Sequence, residues 1–555
     1  MLAGQVLFLL GAVALSGLSP VNGAVSLTVD GLKATIKNDY LELNFNSQAT
    51  ISTVNVQGTN LAASGVKTFY LDWNSNGQGV FSPSSIHIVE QTSSRVHFYW
   101  LQENIDNVFS IQLHYVMEDD ISGIYSYAKY INDKSYTVSL GETRMVYRFN
   151  AAILTQGTNQ VRSGTTPTTV DLNQCTTVQD STWEYPNGTY YSKYDYAAYI
   201  RQINYQGVYG NGFGAFVVSP SREYHGGGPL KQDLTVHQEC LVANYFVSGH
   251  FGTPEVTAEP GWTHIYGPFL LYFPTGNDGS IVSAVENQVA AEQAKWPYSF
   301  VNDDEYPYYR GQVSGTVSGQ KSATVVLWDS TGEEFDQQQL GYLYSAETDS
   351  KGYYAISNVR PGSYRIAAYP TAGLGSDSLD ESTVTVTAGG REHVALTLTE
   401  PSNIIWSLGE ANRLSSEFKY SDQPRNYQWE WVPPTENTFV VGSSNPKEDW
   451  YYAQSQTGSW YIKYQDAPDG NSRTLRVAIA ASSKSHLQVL VNGHRVGDNY
   501  YDNDHAIYRS AMQSGQYTSN VFTVTNAQVV DGENTIEFHI SIGQIMYDTI
   551  SLQRG

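Results

Sequence analysis

The run FSIQLHYVM, Phe109–Met117, sets Phe, Ile, Leu and Tyr at every second position, with Ser, Gln and His between them. Side chains of a strand leave alternate faces, so a two-residue period reads as a β-strand with one greasy side. The same reading extends outward to YLELNF (Tyr40–Phe45), RVHFYWLQ (Arg95–Gln102) and GAFVVS (Gly214–Ser219). Gly, Asn, Asp and Ser separate these runs, which is the punctuation of antiparallel sandwiches. Helical periodicity is confined to Ser280–Lys295, where Ile281, Val285, Val289 and Ala290 fall on one side. The chain is therefore expected to be all-β.

With 555 residues the chain exceeds one compact core, so several domains are expected. Residues 24–304 read as one large β-sandwich that ends after the single helix and WPY (Trp296–Tyr298). VNDDEYPYYRGQ (Val301–Gln312) reads as a polar, proline-containing hinge. Residues 305–400 carry VSGTVSG, SATVVLW, GYYAISNV and GSYRIAAY, enough short strands for a small immunoglobulin or fibronectin-III-like sandwich. Residues 401–555, with WYIKYQ, TLRVAIA, LQVLVNG and NTIEFHISI, suit a jelly roll of the carbohydrate-binding kind. The apolar run Val6–Leu15, followed by small residues up to Gly23, is short for a membrane span and right for a secretory signal. A secreted, extracellular protein without a membrane anchor is the expectation.

The formal charge is −23, from 54 acidic and 31 basic residues. Binding to nucleic acid rests on neutralising phosphates, so that partner is excluded. An anionic saccharide would need a local basic cluster against this field. Cys175 and Cys240 are the two cysteines, and an oxidising compartment favours their pairing. Asn187-Gly-Thr189 is an N-glycosylation acceptor. No Cys/His spacing suits zinc. Asn74–Gly79 and Asp502–His505 have oxygen ligands enough for a structural calcium but no EF-hand pattern. No cofactor is required on this reading, and nothing in the sequence calls for more than a monomer.

YYSKYDYAAYI, Tyr190–Ile200, places Lys193 among tyrosines. Read as one strand, it offers an aromatic wall that would desolvate the amine. Arg144 and Arg148 in ETRMVYRF are four apart, an even spacing that puts both on one strand face. Two guanidinium forks so placed can grip carboxylates; the plainer reading is an exposed basic pair matched by Glu142.

Taken in order, GETRMVYRF, YSKYDY, GGGPLKQDL, NYFVSGHFG, WPY, RGQVSG, KGYYAISNVRPGSYRIAAY, WSLGEANRLSSEF, GENTIEF and MYDTISL resemble the rhamnogalacturonan lyases of polysaccharide lyase family four. The likeness spans nearly the whole chain. It departs at Ala411–Ser415, where that family has a Pro-Asp-Arg-Thr-Ala run. The resemblance implies a mutarotase-like supersandwich as the catalytic domain. It also implies β-elimination at the rhamnose–galacturonate bond of rhamnogalacturonan I, a pectin polysaccharide, as the activity. By it Lys193 is the base, His250 the catalytic histidine, and Arg144, Arg148 and Tyr245 contact substrate. An ordinary imidazole would make His250 a protonated donor in mild acid. Tyr245, an odd five residues from His250, would face the other way on a regular strand unless Gly249 bulges. Gly226–Pro229 is a loop where backbone can approach a sugar, and Lys231 and Asp233 either orient the site or form an ion pair. The rival readings are a glycoside hydrolase acting on pectin, for which no carboxylate pair is nominated, and a non-catalytic carbohydrate-binding protein. The 42 tyrosines suit the latter through sugar stacking.

Overall fold

The computed structural model describes residues 23–555 other than 76, 330, 376–378, 424–426 and 512; the signal-peptide reading of residues 1–23 falls almost wholly outside them. The chain is 51% strand and 6% helix, so the class is all-β. Alternation has the physical result expected of it. Phe109, Ile111, Leu113, Tyr115 and Met117 are all buried in one continuous core.

In the first block, a nine-stranded sheet runs from Ser163–Thr165 at one edge to Ser85–Gln91 at the other. It is faced by two five-stranded sheets, one beginning at Ser26–Asp30 and one centred on Glu142–Arg148. The outer face of the large sheet is not left to water. Helix Asp278–Lys295 and the segment Tyr298–Tyr306 cover it, packing Ile281, Val285, Val289 and Tyr306 against Tyr125, Phe216 and Leu270. Ala290 is exposed, contrary to expectation, and Glu292 takes the buried place; its carboxylate accepts from the hydroxyls of Tyr125 (3.1 Å) and Tyr298 (2.5 Å).

The second block has a three-stranded sheet, in which Gly311–Gly319 and Arg391–Leu398 run parallel, and a four-stranded sheet centred on Ala323–Asp329 and Gly362–Pro370. The stretch expected to be a hinge is partly built into the core. Tyr306 and Arg310 are buried, and Arg310 with Arg360 grips Glu223 of the first block at 2.6 and 2.8 Å.

The third block is a seven-stranded sheet dominated by two long strands, Arg473–Val491 and Gly532–Arg554. Register shifts between Val477 and Leu487 bend this pair, as bulges do. The sheet thereby encloses its own core of Trp450, Trp460, Ile479 and Phe538. A separate apolar cluster joins the third block to the first: Ala480, Ala506, Ile507 and Met546 meet Tyr194, Leu234, Tyr245 and Phe251. That contact brings the segment after Asn503 to the strands that carry the candidate site.

Candidate active site

Glu142–Arg148 lies between Tyr70–Asn74 and Leu241–Ser248. Arg144 and Arg148 do share a face, as their spacing requires, and are half-buried. They are not equivalent. Arg144 is clamped by Asp72 through Nε (2.9 Å) and Nη2 (3.2 Å), and its Nη1 lies 3.2 Å from Glu142 and donates to the Tyr245 hydroxyl. Arg148 donates to the Tyr70 hydroxyl at 3.3 Å, and no carboxylate pairs with it among the described residues. Of the two forks, Arg148 is the one left open.

Tyr245 and His250 come together, with ring centroids 5.2 Å apart. The irregularity responsible is not at Gly249. Thr143 faces Val247 while Arg144 faces Tyr245, so Phe246 is the extra residue of a bulge. One inserted residue reverses the side-chain parity. Tyr245, Ser248 and His250 thus fall on the face that carries Glu142 and Arg144.

Tyr190–Ile200 is not one strand but two short ones, Tyr190–Ser192 and Ala197–Tyr199, around a turn that begins at Lys193. Asp195 N–H donates to Ser192 O (3.0 Å) and Ala197 N–H to Tyr194 O (2.9 Å), closing the turn; Lys193 N–H donates to Ser181 O (3.0 Å). The tyrosines face different neighbours. Only Tyr194 meets the amine, 5.1 Å from its ring, while Tyr191 stacks on Trp183 and Arg162 lies over Tyr196. A single ring, rather than a wall, screens Lys193.

Arg509, from the third block, was missed by the sequence reading. It pairs with Asp180 at 3.2 Å, donates to the His250 carbonyl at 3.1 Å and lies over the Tyr194 ring at 5.4 Å. Asn74, Glu142, His250, His505 and Arg509 line one hollow. Burial lowers the proton affinity of Lys193 below that of a free lysine; Asp180 opposes the shift, and Arg509 and Arg144 add to it. His237 was missed too. Burial, then Lys193, Arg144 and Arg148, push it down to about 3. Neither residue carried a local signal, because their positions depend on contacts far apart in the chain.

Other expectations change. Burial, followed by Lys193, Arg509, Arg144 and Lys231, holds His250 well below the usual imidazole range. It is therefore neutral, not a protonated donor in mild acid. Its Nδ1 lies 2.6 Å from the Ser248 hydroxyl and 3.8 Å from Glu142. Lys231 and Asp233 form a fully buried ion pair of 2.7 Å. In the Gly226–Pro229 loop, Gly226 packs on the second block, where a Cβ would come 2.2 Å from Gln338 O, whereas Gly227, Gly228 and Pro229 line a hollow with Phe251, Arg413 and Tyr517. Cys175 and Cys240 are unpaired. Cys240 is turned into the core, 3.1 Å from the Thr166 hydroxyl, whereas Cys175 sits by a short surface helix and meets Asp171 O at 3.4 Å. Asn187 is exposed in a turn, its side-chain oxygen accepting from Thr189. Asp504 spends its carboxylate on the backbone N–H groups of Ser482, Ala506 and Gln516. No group of three His, Cys, Asp or Glu side chains placed to hold a metal ion occurs among the described residues.

Three family models match in chain order. They are rhamnogalacturonan lyase B, N-terminal, over residues 83–288; polysaccharide lyase family 4, domain II, over 309–394; and domain III of the same family over 404–552. A rhamnogalacturonate lyase of Dickeya dadantii is 38% identical over 96% of this chain and 95% of its own length. A probable rhamnogalacturonate lyase B of Aspergillus niger is 27% identical over 61% of this chain and 55% of its own. Among solved structures, a putative aldose 1-epimerase from Klebsiella pneumoniae shares 10% identity, with a TM-score of 0.30, over 47% of this chain and 83% of that one. The long match to the Dickeya protein, joined to the ordered domains, places the chain in polysaccharide lyase family 4.

Proposed function

We propose that the protein is a rhamnogalacturonan lyase acting outside the cell, cutting the rhamnose–galacturonate bond of rhamnogalacturonan I by β-elimination. The carrying observation is the half-buried Lys193 amine, set among Arg509, Arg144 and the His250 imidazole. Elimination needs the uronate carboxylate neutralised, a base for the proton on C5, and help for the oxygen leaving C4. Arg148, which no carboxylate pairs among the described residues, receives the uronate, with Arg144 beside it. Lys193 in its neutral form takes the C5 proton. The C5–H electron pair becomes the C4–C5 double bond as the C4–O bond breaks; the oxygen departs with rhamnose and takes a proton from solvent, to which protonated Lys193 returns the one it removed, so that no water is consumed. His250, with Nδ1 turned to Ser248, offers Nε2–H to that oxygen as a hydrogen-bond donor, and an arriving uronate offsets the cations that depress it. The buried Lys231–Asp233 pair acts on the site electrostatically, Asp233 on Tyr245 and Lys231 on His250.

The test is ultraviolet absorbance on rhamnogalacturonan I. A lyase raises it by making a conjugated double bond without consuming water. New reducing ends without absorbance would mean a hydrolase, and neither signal a binding protein.

A further inference from the structure

We propose a second saccharide-binding site in the third block, a hollow that continues the catalytic cleft and holds the uronate-bearing chain beyond the bond being cut; it rests on the activity proposed above. Its lining includes Ser455, Ser483, Lys484, Asn503, Tyr508 and Gly543. The hollow exists because the two long strands lose register there: Ser483 faces Gln544, and the next pair is His486 with Ile542. Lys484 sits at φ 46° and Gly543 at φ 76°. A Cβ on Gly543 would come 2.3 Å from Lys484 O, so only glycine lets the strands pass this closely.

Three features suit an acidic saccharide. The hydroxyls of Ser455 and Ser483, in residues 6% and 8% exposed, have no hydrogen-bond partner. A buried hydroxyl without a partner is costly, and a sugar hydroxyl entering the hollow would supply the missing one. No carboxylate is among the lining residues, although the chain has 54 acidic residues. Lys484 is exposed, with no carboxylate pairing it among the described residues. One hydrogen bond links the wall of this hollow to the wall of the catalytic one. Tyr508, on its wall, has its hydroxyl 2.5 Å from Nδ1 of His505, which with Arg509 lines the hollow holding His250. A chain leaving the catalytic hollow would cross the Tyr508 ring.

The test compares wild type with Lys484→Asn, a residue that tolerates positive φ, and Ser483→Ala, across rhamnogalacturonan oligosaccharides of increasing length and the polymer. For Lys484→Asn, KM on polymer rises about tenfold with kcat unchanged, and the ratio to wild type falls toward one on the shortest cleavable oligosaccharide. Ser483→Ala also raises KM on polymer while leaving Tm level or higher, a combination that loss of a structural hydrogen bond would not give. Ratios within about twofold of one at every length would overturn the site, being less than half a kcal/mol. Were wild type to show no elimination at all, the activity would fail separately. Affinity electrophoresis in gels holding rhamnogalacturonan I would then decide the site: retardation lost in Lys484→Asn supports it, whereas equal or no retardation in both proteins refutes it.

Discussion

Around Glu223, two guanidiniums close on one carboxylate; around the candidate site, Arg144, Arg148, Lys193 and Arg509 stand with three part-exposed carboxylates. The first cluster is dry. Arg310 and Arg360 have side chains 1% and 3% exposed, and Arg360 lies 3.6 Å over the Tyr342 ring. Both guanidiniums there meet Glu223, a carbonyl and an aromatic face, with Arg310 Nη2 left without a hydrogen-bond partner. In the second cluster Arg144, Arg148, Lys193 and Arg509 face Asp72, Glu142 and Asp180, and Arg148 has none of them as a partner. The ingredients are the same. Each set carries one more cation than carboxylate, and burial is what differs: dry and packed, they fasten two blocks together; half-buried and open, they lower the proton affinity of an amine and leave a fork for a ligand.

The sharpest way to separate the clusters is to remove one residue from each. Lys193→Ala should cost about 10³-fold or more in elimination rate, while the thermal midpoint, followed by circular dichroism, stays within about 2 °C. Glu223→Gln should do the reverse. Two buried guanidiniums lose their counter-charge, and urea unfolding should show a loss of about 3–5 kcal/mol, with the rate per folded molecule within about twofold of wild type. A large rate loss in the second variant with stability intact would erase the distinction.

Each cluster also keeps a histidine uncharged, His237 beside the open one and His264 beside the closed one, both lowered to about 3 chiefly by burial. A free histidine titrates near 6.5. Between pH 6.5 and about 3 the unfolded chain binds these protons and the folded protein does not. Stability is therefore lost as pH falls through that window. His264→Gln should flatten the fall in thermal midpoint with acid, and an unchanged slope would contradict it. Arg148→Lys, which keeps charge and loses the fork, should lower kcat/KM about tenfold with the pH profile in place. The smallest effect is expected from Arg509→Gln. A base must be unprotonated, so activity rises as pH passes the Lys193 value. Removing a cation raises that value, and the acid limb of the kcat/KM profile should move to higher pH.

The legible parts of the site were those set by one strand. Arg144 and Arg148 share a face because two-residue pleating is a local rule, and FSIQLHYVM is buried as its alternation requires. Tyr190–Ile200 misled because tyrosine spacing alone resembles a strand, whereas Asp195 and Ser192 hydrogen bonds turn the chain back within four residues. The bulge at Phe246 was nearly legible: a break in parity was foreseen close to His250, and the pairing with Arg144 put it three residues earlier than Gly249. The cysteines misled for another reason. Spacing and compartment say nothing about direction, and Cys240 points inward.

By itself, the sequence determined the all-β class, the common face of the two arginines and the family, since period, spacing and ordered motifs are properties of neighbours along the chain. Only the tertiary structure decided that Arg144 is spent on Asp72, that His250 is kept neutral and that Arg509 arrives beside it. Those outcomes depend on which distant apolar surfaces meet: Ala480, Ala506 and Ile507 seat against Tyr194, Tyr245 and Phe251. Burying such surface is non-directional and acts at any chain separation, so no local pattern announces what it will carry into place.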